Sequence, residues 1–175
     1  MLVPIALADT LLRIAERELY RPLWSDRILD EAMEAVISVH PTVDLRAVER
    51  RFTAMRETFE DACVEGSESV ELDHVLPDPD DHHVVAAAVR GRADAIITAN
   101  LRDYPIDNLK VFDLAVIHPD DFLLDQLDLA PRLVIDVIRE QAQHTRQPRL
   151  EPVDLLARLA KCGVEGFADE ARRHL

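Results

Sequence analysis

The alternation of apolar and polar residues divides the chain into a mixed first two thirds and a purely helical remainder. Leu11, Leu12 and Ala15 share a face opposite Arg13, Glu16 and Arg17, which predicts a helix capped by Asp9 and running to about Glu18. Leu19 to Trp24 reads as a short strand, and Ser25 is a good cap for a second helix. There Ile28, Leu29, Ala32, Met33, Val36 and Ile37 recur at helical spacing until His40-Pro41 stops it. Glu31 and Glu34 fall outside that stripe. A third helix is expected after Asp44, with Val48, Phe52, Met55 and Phe59 on its apolar face and an end near Gly66.

The pattern then changes period. Val70 to Leu76 alternates like a half-buried strand, Asp81 to about Arg90 reads as an alanine-rich helix, and Asp94 to Thr98 is a short apolar run of the kind found in buried parallel strands. Strand, loop, helix and strand make a βαβ unit, and the polar loop Asn100 to Asn108 lies at the C-terminal end of its second strand, the edge where open α/β sheets bind ligands. A further strand is expected within Val111 to Ile117, and Pro119 opens a helix carrying Phe122 and Leu123. From Pro131 onward only helices are predicted: Leu133 to Gln143, one after Pro152 and one after Gly163, with Gln147-Pro148-Arg149 as the hinge.

Composition narrows the class. A chain of 175 residues that is 48% hydrophobic can bury a good core, and no apolar run is long enough to span a bilayer, so a soluble cytoplasmic protein is expected. Two well-separated cysteines, Cys63 and Cys162, suggest neither a disulfide framework nor a zinc knuckle. The formal charge of −14 argues against general affinity for nucleic acid but leaves room for a nuclease whose acidic centre is screened by divalent cations, and it suits a basic protein partner.

The densest chemistry is Asp78-Pro79-Asp80-Asp81-His82-His83, between the alternating segment and the alanine-rich helix. One Asp suffices for a cap and the others could be solvated, but carboxylates this close are also stabilised by a divalent cation. An all-oxygen set suits Mg²⁺ or Mn²⁺. His82 and His83 are adjacent on a helix and cannot form the i, i+4 pair of a zinc helix. Asn100 and Asp103 follow the next parallel strand and would face the same sheet edge as Asp81, although either could serve only as a cap or turn residue.

The run from Asp78 to Ala88, with Ala93-Asp94-Ala95-Ile96-Ile97-Thr98-Ala99-Asn100-Leu101-Arg102-Asp103-Tyr104-Pro105, resembles the PIN domain family, in particular its VapC-type toxin branch. Tyr20 to Ser25, Ile28 to Glu31 and His118 to Leu123 extend the likeness. It implies a PIN-like, Rossmann-like α/β parallel sheet with flanking helices over residues 1–125, followed by a C-terminal helical extension over 126–175. It also implies a Mg²⁺- or Mn²⁺-dependent ribonuclease, the toxin of a toxin–antitoxin pair. Carried over, Glu31, Asp81 and Asp103 take the catalytic places, the same three with Asp80 hold the metal, and Asn100 and Arg102 contact RNA. Family members begin with a strand ending in an Asp that ligates the metal, and this sequence starts at Met1, after that point. The resemblance therefore implies an absent N-terminal strand and first acid, with impaired activity and weak or absent cation binding. The alternative is a catalytically inactive PIN-like module that binds an antitoxin, another partner or itself through unpaired sheet edges. A phosphatase using the same acids is disfavoured, since the four glycines form no phosphate-cradling loop and no Asp-x-Asp-x-Thr motif occurs.

Overall fold

The computed structural model describes residues 4–70, 72, 76–145 and 150–175. Its elements are α1 (Ile5–Glu16), α2 (Asp26–Val39), α3 (Leu45–Thr58), α4 (His82–Gly91), β1 (Ala95–Ile97), α5 (Ile106–Leu109), β2 (Ala115–Ile117), α6 (Pro119–Leu129), α7 (Pro131–His144), α8 (Pro152–Lys161) and α9 (Glu165–Arg172), with short 3₁₀ turns between some of them. They fall into two compact units, Arg21–Ile117 and Met1–Tyr20 with His118–Leu175.

The unit Arg21–Ile117 is the α/β part. β1 and β2 pair in parallel with Ala95 opposite Ala115, Ile96 opposite Val116 and Ile97 opposite Ile117. α4 leads into β1, and Arg92 closes the helix in the left-handed region at φ 53°, letting the Ala93 N–H reach the Ala88 carbonyl. The buried alanines Ala86, Ala87 and Ala88 present little bulk. With Val85, Ile96, Tyr104, Leu109 and Leu114, Ala86 and Ala88 belong to one apolar core. Ser25 caps α2 by accepting the Ile28 N–H, and Asp44 caps α3 through the Arg46 N–H, both at the predicted positions.

The other unit is all-helical. α9 packs on α6 and α8, and α7 on α1, α6 and α8, around Leu7, Ile14, Ile138, Leu156 and Phe167. Two of its buried polar side chains satisfy each other: Thr10 Oγ1 donates to Gln141 Oε1 at 2.7 Å, and Gln141 Nε2 donates to the Ala6 carbonyl at 3.0 Å. No helix among the described residues is long and apolar enough to cross a membrane.

Four local expectations are corrected. α1 starts at Ile5, with Pro4 at its N-cap and Asp9 inside paired to Arg13, because the buried stripe already includes Leu7 and Ala8. Leu19 to Trp24 forms no strand: Glu18 takes φ 61° and only Trp24 makes an isolated parallel bridge, to Cys63. That bridge also explains why α3 stops at Thr58 rather than near Gly66, since Trp24 needs the extended backbone around Cys63. The loop Asn100 to Asn108 contains a 3₁₀ turn, Leu101–Asp103, and α5. Most of the strand expected from Val70 to Leu76, and the hinge at Gln147-Pro148-Arg149, lie outside the described residues.

Candidate functional site

The acidic run separates into different roles. Asp78 caps the 3₁₀ turn Pro79–Asp81, its Oδ1 accepting the Asp80 N–H at 3.0 Å and its carbonyl the Asp81 N–H at 3.3 Å. Asp80 is exposed, and its carbonyl is the atom put to use, 2.6 Å from His83 Nδ1 and accepting from Arg27 at 3.5 Å. Asp81 is half-buried at the start of α4.

Tyr104 follows the turn Leu101–Asp103 and is only 5% exposed. Burial, most of all, lifts its phenol well above the usual tyrosine range. The Asp81 charge, the hydrogen bond to Asp81, and the charges of Asp103 and Glu31 push the same way. The charges of all three acids that the resemblance assigns to catalysis, on α2, at the start of α4 and in the turn after β1, raise this one phenol.

Each acid has its own donor. Glu31, in the second turn of α2, takes Arg27 Nε on Oε1 at 2.9 Å, and His83 Nε2 stands 2.9 Å from its Oε2. The imidazole contact has the distance of an ion pair without the alignment of a hydrogen bond. Asp103, half-buried, takes the Asn100 side-chain amide on Oδ2, and the Asn100 N–H donates to Thr98 Oγ1 at 3.1 Å. Arg102 sits exposed on the same turn. Arg27 and His83 also line a cleft of about 520 Å³ with Ser25, Ser67, Leu72 and His82. Asp26, Glu65 and Glu68 reach the same cleft, so its few cations are matched by carboxylates.

In donor chemistry the acids suit a hard divalent cation, since all offer only oxygen. Among the described residues no three His, Cys, Asp or Glu side chains stand close enough to hold an ion by themselves. An ion here would keep part of its water shell, as Mg²⁺ commonly does with one or two carboxylates.

Sequence reasoning missed Tyr104, Arg27 and His83. The i, i+4 spacing of Arg27 and Glu31 was readable as a helix pair. Nothing in a linear pattern says that a tyrosine one residue after Asp103 turns inward to the core.

The PIN domain model matches residues 3–102, and the VapC50 C-terminal domain model matches residues 119–173. A Mycobacterium tuberculosis protein named Putative ribonuclease VapC50 is 46% identical over 93 residues, 53% of this chain and 54% of the relative. The chain thus spans about half the length of that relative. No solved structure matches. With more than half of the chain matched by the family model, the chain belongs to the PIN domain family.

Proposed function

We propose that this protein is a Mg²⁺- or Mn²⁺-dependent ribonuclease of the VapC toxin type, acting in the cytoplasm and restrained by a basic antitoxin. The observation that carries the reading is that Arg27 and His83 each contact both the Glu31 carboxylate and the Asp80 carbonyl, which brings the acid of α2 beside the acidic turn that opens α4. It is supported by the likeness to Putative ribonuclease VapC50 and, for the antitoxin, by the charge of −14.

In this reading Asp81 holds the cation directly, Asp103 and Glu31 reach it through water of its shell, and Asp80 lies at the rim. When bound, the ion polarises the phosphate and lowers the pKa of an attacking water. The chain's own part is orientation. Arg27 and His83 fix Glu31, Asn100 fixes Asp103, and the buried position of Tyr104 keeps one side of the acid group dry. Arg102 and Asn100, exposed beside the acids, contact the RNA backbone. Because the neighbouring cleft mixes Arg27 with Asp26, Glu65 and Glu68, phosphate gains little there without an added cation.

The test is cleavage of a mixed RNA pool by the purified chain with Mn²⁺, with chelator, and in the Asp81→Asn variant. The reading expects cleavage with Mn²⁺, none with chelator, and at least a hundredfold loss in the variant. Equal cleavage by Asp81→Asn would remove the acids from the reaction.

One observation favours a second reading, a PIN-like module that binds without cutting: Glu31 is already compensated by Arg27 and His83. Such a module would leave all RNA intact under every condition while still binding a basic antitoxin or a second copy. Light scattering of the purified chain tests the self-association.

A further inference from the structure

The cleft of about 520 Å³ beside the acidic turn suits a neutral, partly apolar guest better than a phosphate. Its size falls within the range of small-molecule sites, about 300–1,000 Å³. Val64, Leu72 and Ala86 give it apolar wall. Its charged groups are three carboxylates, Asp26, Glu65 and Glu68, against the one guanidinium of Arg27, so an anion is repelled. Two neutral groups are open to hydrogen bonding. Ser67 lines the cleft and is 8% exposed, and its hydroxyl has no hydrogen-bond partner among the described residues. His82 accepts the Leu76 N–H on Nε2 at 3.4 Å, which in the neutral ring leaves Nδ1–H as a donor. A buried hydroxyl without a partner is costly, and a guest that bonds it removes that cost.

We propose that this cleft is a subsite for one unpaired nucleobase of the RNA strand whose phosphate lies at the acids. The inference rests on the RNA-cleaving reading above, but the base contacts themselves need no bound cation. Arg27 and His83, which line the cleft, also touch Glu31, each at 2.9 Å, and the Asp80 carbonyl, at 3.5 and 2.6 Å. The cleft therefore lies one side chain away from the acidic turn. An unstacked base is flat, uncharged and apolar on its faces, with donors and acceptors along its edge, and proteins that read RNA sequence seat such bases in pockets. Here the faces of the base cover Leu72 and Ala86, and its edge meets the Ser67 hydroxyl and His82. The amino groups of guanine, adenine and cytosine can also donate to Glu65 or Glu68, whose carboxylates only accept. Uracil has no amino group and is the base that binds least.

Uncharged ribonucleosides separate the base from the phosphate. The experiment titrates guanosine, adenosine, cytidine and uridine into the ¹⁵N-labelled full chain with chelator present and follows the amide resonances by nuclear magnetic resonance. The parent is compared with Ser67→Ala, which removes the hydroxyl, and with Val70→Phe, which fills the cleft, each shown to be folded by far-UV circular dichroism. The expected result is saturable shifts at the Ser67, His83 and Ala86 amides, weakest with uridine. Ser67→Ala should weaken the tightest nucleoside by about two- to tenfold, the loss of one hydrogen bond, and Val70→Phe should abolish the shifts. No shift at these amides with any nucleoside at millimolar concentration overturns the proposal, as does parent-like affinity in Ser67→Ala. Shifts produced by arginine amide and by no nucleoside would give the cleft to a basic protein segment and overturn it equally. If Val70→Phe fails to fold, Ser67→Ala decides alone. RNA cleavage by the parent with Mn²⁺, measured separately, keeps the two readings apart: cleavage without nucleoside shifts removes the subsite alone, and nucleoside shifts without cleavage remove the nuclease reading alone.

Discussion

Asp120 offers the sharpest test of how the helical unit is held. Its carboxylate accepts the backbone N–H groups of Gly166 at 3.0 Å and Phe167 at 2.7 Å, pinning the first turn of α6 to the first turn of α9. A hydrogen bond to a charged group contributes about 1.5–3 kcal/mol net, and an anion at a helix N-terminus about 0.3–1 kcal/mol. Because Asp120 is only half-buried, we take the low end of both and expect Asp120→Ala to cost about 3 kcal/mol. Asp120→Asn keeps one acceptor oxygen but turns an amide toward the second N–H, so about half that loss is expected. Gly166→Ala supplies the control of sign. In an ordinary helix position it would stabilise by about 0.5–1 kcal/mol. Here the added Cβ would lie 2.7 Å from Asp120 Oδ2, so the carboxylate must withdraw and the variant should be less stable than the parent. Urea unfolding followed by circular dichroism at 222 nm measures all three, with unchanged m-values as the condition for comparing midpoints. An Asp120→Ala variant within about 0.5 kcal/mol of the parent, the range of an ordinary surface substitution, would refute the clamp. So would a Gly166→Ala variant more stable than the parent.

Three further outcomes are expected. Thr10→Val keeps the shape of a fully buried side chain but strips Gln141 Oε1 of its partner, which should cost about 1–3 kcal/mol by urea midpoint; Thr10→Ser, which keeps the hydroxyl, should lose less. Gly91→Ala places a Cβ 2.8 Å from Val64 Cγ2 and 3.0 Å from Leu23 Cδ1, so it should destabilise by about 1–3 kcal/mol, and Val64→Ala should restore part of the loss. Burial, first of all, lifts both tyrosine phenols, Tyr20 and Tyr104, above the ordinary value near 10. The unfolded chain releases those protons first, so stability should hold below about pH 10 and fall as pH rises past it. Tyrosinate absorbance at 295 nm should appear only together with loss of helical signal; a folded protein that titrates a tyrosine near pH 10 would contradict the burial of both.

Much of the fold could be read from the chain because local chemistry and tertiary packing agree there. Ser25, Asp44 and Pro119 sit at helix starts as turn and capping chemistry dictates, and the apolar run at Ala95–Ile97 pairs in parallel with Ala115–Ile117 as its βαβ context requires. Where distant residues decide, the linear pattern misled. Asp9 carries a good capping side chain, yet the apolar stripe beginning before it draws the helix start back to Ile5. α3 has apolar spacing through Phe59 and Ala62, yet the chain leaves the helix so that Cys63 can meet Trp24. The candidate site divides along the same line. Glu31, Asp81 and Asp103 were legible as acids at the ends of neighbouring elements. The groups that hold Glu31 across the fold were not, because His83 reaches it from another helix.

The central claim, that Asp81 binds a cation with Glu31 and Asp103 beside it, is tested most directly by crystals of the full chain grown with Mn²⁺ and measured at the manganese absorption edge. The account predicts an anomalous peak bonded to Asp81 through oxygen, with Asp103 and Glu31 in its inner or water-bridged shell. A peak elsewhere on the molecule, or none beside Asp81 at saturating Mn²⁺, would contradict it.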